Sequence, residues 1–206
     1  MAILISIKPE YVADILNGYK TIEIRKTRPN IKLPCKVYIY CSKKTMKDLC
    51  CYSLNSGNYK LMNKEEYDKD FAFSVNGSVV AEFTLKRIDA IEICDPDILI
   101  NGKQCKQANL QKECQVSIED IMSYIGYGDD HDGWGKDWDK GYLWHIENLK
   151  IYNKPKELNE FVLPNKKNCK TCFFYKDMCE NVCEEIKKHL FRPPQSWCYV
   201  EDAINN

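Results

Sequence analysis

Hydrophobic and polar positions alternate along this chain in short blocks rather than in long helical runs. Residues 2–7 (AILISI) are apolar and β-branched, which predicts a buried strand. Pro9 then opens a short helix reaching Asn17. Proline suits the first helical position, Val12, Ile15 and Leu16 make an apolar stripe, and Gly18 closes the helix. In Thr21–Arg25 the alternation is strict, so Ile22 and Ile24 face one side and Thr21, Glu23 and Arg25 the other. Lys36–Ser42 (KVYIYCS) is a second alternating strand, and Val79–Ile91 (VVAEFTLKRIDAI) a long one that can bend.

Between these blocks the pattern weakens. Residues 43–74 predict only a short helix at Asn63–Asp70, capped by Asn63, and Cys94–Glu113 reads as polar loop. Ser117–Tyr124 is a helix with a capping-box-like start (Ser117, Asp120) and a stop at Gly126. A Gly/Asp/Trp loop follows over Gly126–Gly141, then strand character over Tyr142–Tyr152. A proline-marked linker, Lys154–Pro164, leads to a cysteine cluster, and Gln195–Glu201 closes the chain as a last strand. Short strands with two or three helices predict an α+β protein or a small decorated barrel.

Composition narrows the function classes. With 44% hydrophobic residues in 206 there is material for a packed core. No apolar run approaches the ~20 residues of a membrane helix, and the opening MAILISIKPE is too short an apolar stretch for a signal peptide. The expectation is a cytoplasmic protein. Its 30 basic and 30 acidic residues cancel, which excludes a generic polycation. They are unevenly spread: residues 1–60 carry +7, residues 61–150 carry −8, and the rest +1. Lysine outnumbers arginine 26 to 4, so each arginine attracts notice.

The basic third holds the densest chemistry. Strand, short helix and strand gather Lys8, Lys20, Glu23 and Arg25 in one small unit, and Glu23 and Arg25 share a face. Lysine and arginine suit phosphate, while glutamate accepts from base or sugar donors. The segment Gly18, Lys20, Glu23, Arg25, set after a proline-started helix, resembles the Gly-x-Lys-x-x-Glu-x-Arg mark of the ASCH domain, a PUA-like family. The resemblance runs on through Val37–Ser42, Val79–Ile88 and Trp144–Leu149, covering roughly residues 2–152.

That resemblance implies a PUA-like small β-barrel with flanking short helices over 1–152, and a cysteine-rich extension over 153–206 completing or packing on it. It also implies RNA or a nucleotide-like ligand in a cleft beside the first helix. The candidate ligand-binding residues are Lys8, Lys20, Glu23, Arg25, Ser42, Glu82, Trp134, Arg192 and Trp197. One alternative is a hydrolase of modified nucleosides or RNA with Lys20 and Glu23 as acid–base pair. The hydrolase subgroup, however, has a hydroxyl residue three positions after the lysine, where this chain has Glu23. A second alternative is a phage-type binder of small nucleotide signals that does not turn them over.

Twelve cysteines in a chain without a signal peptide point to reduced thiols and metal rather than disulfides. Cys35, Cys41, Cys94 and Cys198 sit in apolar strand surroundings. Cys169, Cys172, Cys179 and Cys183 differ: the first pair has the spacing of a zinc-binding turn, and the second pair is one helical turn apart. Four thiolates predict a closed structural zinc site, in which His189 or Cys198 can replace one ligand. The Asp129–Asp139 loop resembles a calcium loop only loosely, since Gly128 stands at the first acidic ligand and Asp139 at the closing glutamate. Trp134 and Trp138 there, and Arg192, Gln195 and Trp197 beyond the cysteines, are suited to stacking and pairing at a cleft rim.

Overall fold

The alternation seen in the sequence becomes, in the computed structural model, a set of two-faced strands packed as layers; the structure describes residues 1–43, 48–94, 97–126, 139–164 and 189–202. In chain order the first elements are β1 (Ala2–Ile7), α1 (Pro9–Leu16), β2 (Ile22–Arg25) and β3 (Cys35–Cys41). Next come β4 (Leu49–Ser53), β5 (Asn58–Met62), α2 (Lys64–Lys69) and β6 (Ala72–Ser74). Then follow β7 (Val79–Leu85), β8 (Ile88–Cys94), β9 (Asp97–Ile100), β10 (Lys103–Gln104), α3 (Gln107–Cys114) and α4 (Ile118–Ile125). The last are β11 (Asp139–His145), β12 (Glu147–Lys156) and β13 (Trp197–Val200). The fold is α+β, and none of its described helices is long and apolar enough to cross a membrane.

Three sheets result. The first runs β12-β7-β3-β1-β13, the second β10-β9-β8-β11-β2, and the third is a small antiparallel sheet, β5-β4-β6, with β4 at its centre. Within the first sheet β1 and β3 are parallel, with Ile7 opposite Cys41, while β13 joins β1 antiparallel. Parallel pairing requires a crossover, and α1 with β2 supplies it. The long strand expected over Val79–Ile91 bends at Lys86 and Arg87, so β7 lies in the first sheet and β8 in the second. Residues 139–156 cross the same way through Ile146, as β11 and then β12. Two bent strands therefore join the large sheets on one side.

An ion cluster sits at that bend. Asp89 accepts from Asn101 Nδ2 at 2.9 Å and from His145 Nε2 at 2.7 Å, and Arg87 Nε lies 3.2 Å from the same carboxylate. Burial pushes the Asp89 carboxyl up, but these hydrogen bonds and the Arg87 charge outweigh it and hold the group below its usual range.

The core divides by sheet face. Ile3, Ile5 and Ile7 of β1 pack with Val37, Ile39, Phe83, Trp144 and the Val12, Ile15, Leu16 stripe of α1. On the other face of the first sheet, Ala2, Leu4, Tyr38 and Tyr40 pack with Phe161, Leu190 and Val200. Ile22 and Ile24 of β2 turn the opposite way from Glu23, into a cluster with Ile91, Leu110 of α3 and Ile121 and Ile125 of α4. Gly141 allows that approach, because a Cβ there would lie 3.2 Å from side-chain atoms of Ile91 and Ile125.

Two stretches depart from the sequence expectation. The irregular 43–74 region contains β4, β5 and β6 besides the expected helix, whose Asn63 cap and Glu66 form a complete capping box. The polar 94–113 stretch contains β9, β10 and α3 rather than loop. Its strands extend an edge of the second sheet, where polar side chains face outward at little cost.

Candidate functional site

The Lys20–Arg25 segment is positioned by what ends α1. Gly18 takes a positive φ of 78°, the backbone turns, and the N–H groups of Tyr19 and Lys20 both donate to the Asp14 carbonyl. The chain then enters β2, which pairs with β11 so that Glu23 lies opposite Trp144 and Arg25 opposite Tyr142. Trp144 belongs to the core beneath the first sheet. The Glu23–Arg25 face of β2 is thereby turned inward.

Lys20, Glu23 and Arg25 are only 2%, 6% and 6% exposed. Buried charges need partners, and these have them. Lys20 Nζ donates to the Cys114 carbonyl at 2.5 Å, stands 3.4 Å from Glu23 Oε2 and lies over the Tyr11 ring at 5.1 Å. Cys114 is the last residue of α3, so the lysine ammonium satisfies a terminal helix carbonyl and complements the negative end of the dipole. Arg25 Nη2 lies 2.9 Å from Glu23 Oε1 and donates to the Ser6 carbonyl at 2.7 Å. Its Nη1 donates to Ser196 Oγ at 3.1 Å and to the Ser196 carbonyl at 3.4 Å. Burial drives the Cys114 thiol up to about 12, with Lys20 opposing and Glu23 adding to the shift.

The guanidinium thus bridges β2, an edge of the second sheet, to β1 and to the residue preceding β13, at the edge of the first. On this side the two sheets are tied by side chains, whereas on the other they share bent strands. Trp197 strengthens the seam: its ring lies 5.9 Å from that of Trp144 in a tilted contact and meets Tyr199 edge-to-face at 5.4 Å, and its Nε1 donates to Thr27 Oγ1 at 3.0 Å. Two buried donors at the seam, Arg25 Nε and Trp144 Nε1, have no hydrogen-bond acceptor among the described residues.

The other expected site residues fall into three groups. Lys8 is exposed at the carboxyl end of β1, where α1 begins, and Ser42 follows β3 at the same end, its N–H donating to the Ile7 carbonyl. Arg192 and Gln195 are exposed on the segment whose Pro194 carbonyl accepts from Ser6 Oγ at 2.7 Å. Lys8, Ser42, Arg192 and Trp197 therefore gather around the strand ends nearest Arg25. Glu82 is not brought there. It lies beside Tyr38 on the opposite face of the first sheet, where Tyr152 Oη donates to it at 2.7 Å.

The third group, Trp134, Trp138, Cys169, Cys172, Cys179 and Cys183, lies outside the described residues. Among the described residues no cluster of three or more His, Cys, Asp or Glu side chains is arranged to hold a metal. Of the two alternative ligands, His189 donates Nδ1 to the Asn159 carbonyl at 2.5 Å, and burial pushes the Cys198 thiol up to about 11. Ser6, Tyr11, Cys114, Trp144 and Ser196 complete the network without any local sequence signal, since most of their partners are distant in the chain.

This chain is similar to the ASCH protein of Zymomonas mobilis. Its crystal structure shares 17% identity and a TM-score of 0.48, over 97% of this chain and 87% of that one. Two point mutants of the same protein give TM-scores of 0.47 at 17% and 16% identity, each over 97% of this chain and over 90% and 88% of theirs. No protein-family model matches the sequence, and no curated protein is a significant match.

Proposed function

We propose that the protein binds RNA or a nucleotide-like ligand at the seam where the ends of β1, β2 and β13 meet. The observation that carries this reading is half-buried Trp197 at that seam, its ring set against buried Trp144 and offering a flat apolar surface suited to stacking on a base. Exposed Lys8 and Arg192 supply charge for phosphate at the rim.

In this reading Lys20 and Glu23 shape the site by fixing Arg25, and Trp134, outside the described residues, is a further candidate for stacking on a base. The four cysteines Cys169, Cys172, Cys179 and Cys183 hold a structural zinc in the same proposal. The test is tryptophan fluorescence during titration with nucleoside monophosphates and short single-stranded oligoribonucleotides. The reading expects saturable quenching, and affinity reduced about tenfold or more by Trp197→Ala, in line with roughly 1–3 kcal/mol per stacked base. Absence of saturable binding by both ligand types would overturn it.

A further inference from the structure

The residue that the seam leaves aside, Glu82, belongs to a second cavity. It opens on the outer face of the first sheet, has a volume of about 230 Å³, and is lined by Pro34, Lys36, Glu82, Phe83, Thr84 and Asn148. Strand register builds it. Lys36 of β3 is opposite Thr84 of β7, and Tyr38 is opposite Glu82, so the polar side chains stand side by side on one face. Lys150 of β12 lies opposite Glu82 on its other flank. Between Glu147 and Lys150 the pairing of β12 slips, and Asn148 in that slip has a φ of 51°. Irregularities of this kind redirect side chains beside sites.

Three groups converge on Glu82. Tyr152 Oη donates to its Oε2 at 2.7 Å. The two ammonium groups stop short, Lys36 at 3.9 Å from Oε2 and Lys150 at 3.8 Å from Oε1. Both separations exceed hydrogen-bond length, so each ammonium keeps a proton for another acceptor. Lys36 is instead held at 3.1 Å by Asp202, which also accepts from Tyr38 Oη at 2.9 Å. Burial and the hydrogen bond to Glu82 push the Tyr152 phenol up, so it stays a donor.

The geometry points to a binding site for a small phosphorylated sugar, separate from the seam. Glu82 accepts from neighbouring hydroxyls of the sugar. Lys36 in the lining and Lys150 beside Glu82 face the phosphate, Thr84 and Asn148 supply further hydrogen bonds, and Pro34 gives an apolar contact for the C–H face. A cationic ligand is disfavoured by the two lysines, and a dianion without hydroxyls leaves Glu82 unanswered. A volume of about 230 Å³, below the range of drug-sized pockets, limits the ligand to something as small as a pentose phosphate and excludes a polymer.

Calorimetric titration of the full chain with ribose 5-phosphate, ribose and inorganic phosphate tests this. Saturable binding of ribose 5-phosphate is expected, with the other two probes at least tenfold weaker. Glu82→Gln and Lys150→Ala should each weaken it at least tenfold, while Lys8→Ala and Arg192→Ala, toward the opposite ends of β1 and β3, leave it unchanged. Lys150 is an exposed side chain whose removal does not threaten folding. No saturable binding, equal binding of phosphate alone, or an unaffected Lys150→Ala variant would each overturn the assignment. Dependence on Lys8 or Arg192 would also overturn it, by moving the ligand to the seam.

Discussion

Arg25 and Ser196, 171 positions apart, are joined by two hydrogen bonds from one guanidinium nitrogen, 3.1 Å to the hydroxyl and 3.4 Å to the carbonyl. The same guanidinium holds Ser6 and Glu23. One side chain therefore links the amino-terminal strand, the second strand and the approach to the last. Lysine cannot reproduce this, because its ammonium lacks the planar fork that reaches several acceptors in fixed directions.

Removing that fork should be expensive. Arg25→Ala leaves Glu23 buried against Lys20 alone, and breaking a buried pair from one side typically costs about 3–5 kcal/mol. Urea unfolding should show a loss of that size. Glu23→Gln, which keeps shape and hydrogen bonding, should lose less. Equal, sub-kilocalorie losses in both variants would contradict the assigned role.

This network also marks the limit of what the sequence tells. Alternation over residues 21–25 assigns Ile22 and Ile24 to one face and Glu23 and Arg25 to the other, and the structure agrees. What a local pattern cannot indicate is that the charged face is the inner one. Its acceptors are the Cys114 carbonyl, 94 residues from Lys20, and Ser196. The elements missed have the same cause. In α3 only Leu110 and Cys114 are buried, too small a stripe to show in the polar run QANLQKEC. In β5, Lys60 and Leu61 are both exposed, so the period of two is lost. By contrast Asn63, Ser117 and Gly126 act through local capping chemistry, and their positions were readable.

The bend between the large sheets should be sensitive to acid. The folded state holds the Asp89 carboxyl below its usual range, so ionised Asp89 stabilises the fold above the unfolded pKa of about 4. That contribution is lost as pH falls through the lower folded value. Asp89→Asn should lower the unfolding free energy measured in urea at pH 7 by on the order of 1 kcal/mol, for a charge-assisted cluster. The difference from the parent should shrink as pH drops from 5 toward 2. A gap that is constant with pH would show that the carboxylate charge is not the stabilising feature.

The zinc proposal has a direct readout. Elemental analysis of purified protein should find one zinc per chain, lost in Cys169→Ser and Cys172→Ser variants. Chelation should lower the unfolding temperature, because metal affinity is part of the folding free energy. Protein free of zinc, or an unfolding temperature indifferent to chelator, would contradict the site.

The central claim is that the seam recognises phosphate-bearing, base-bearing ligands, and its most direct test is RNA affinity across a salt series. Labelled single-stranded RNA should bind the parent protein with log affinity falling linearly in log salt, by about 0.7 for each phosphate contacted. A Lys8→Ala, Arg192→Ala double variant, altered only at exposed positions, should bind more weakly and with a slope reduced by about one per lysine or arginine removed. Affinity independent of salt, or a double variant with the parent's affinity and slope, would contradict the account.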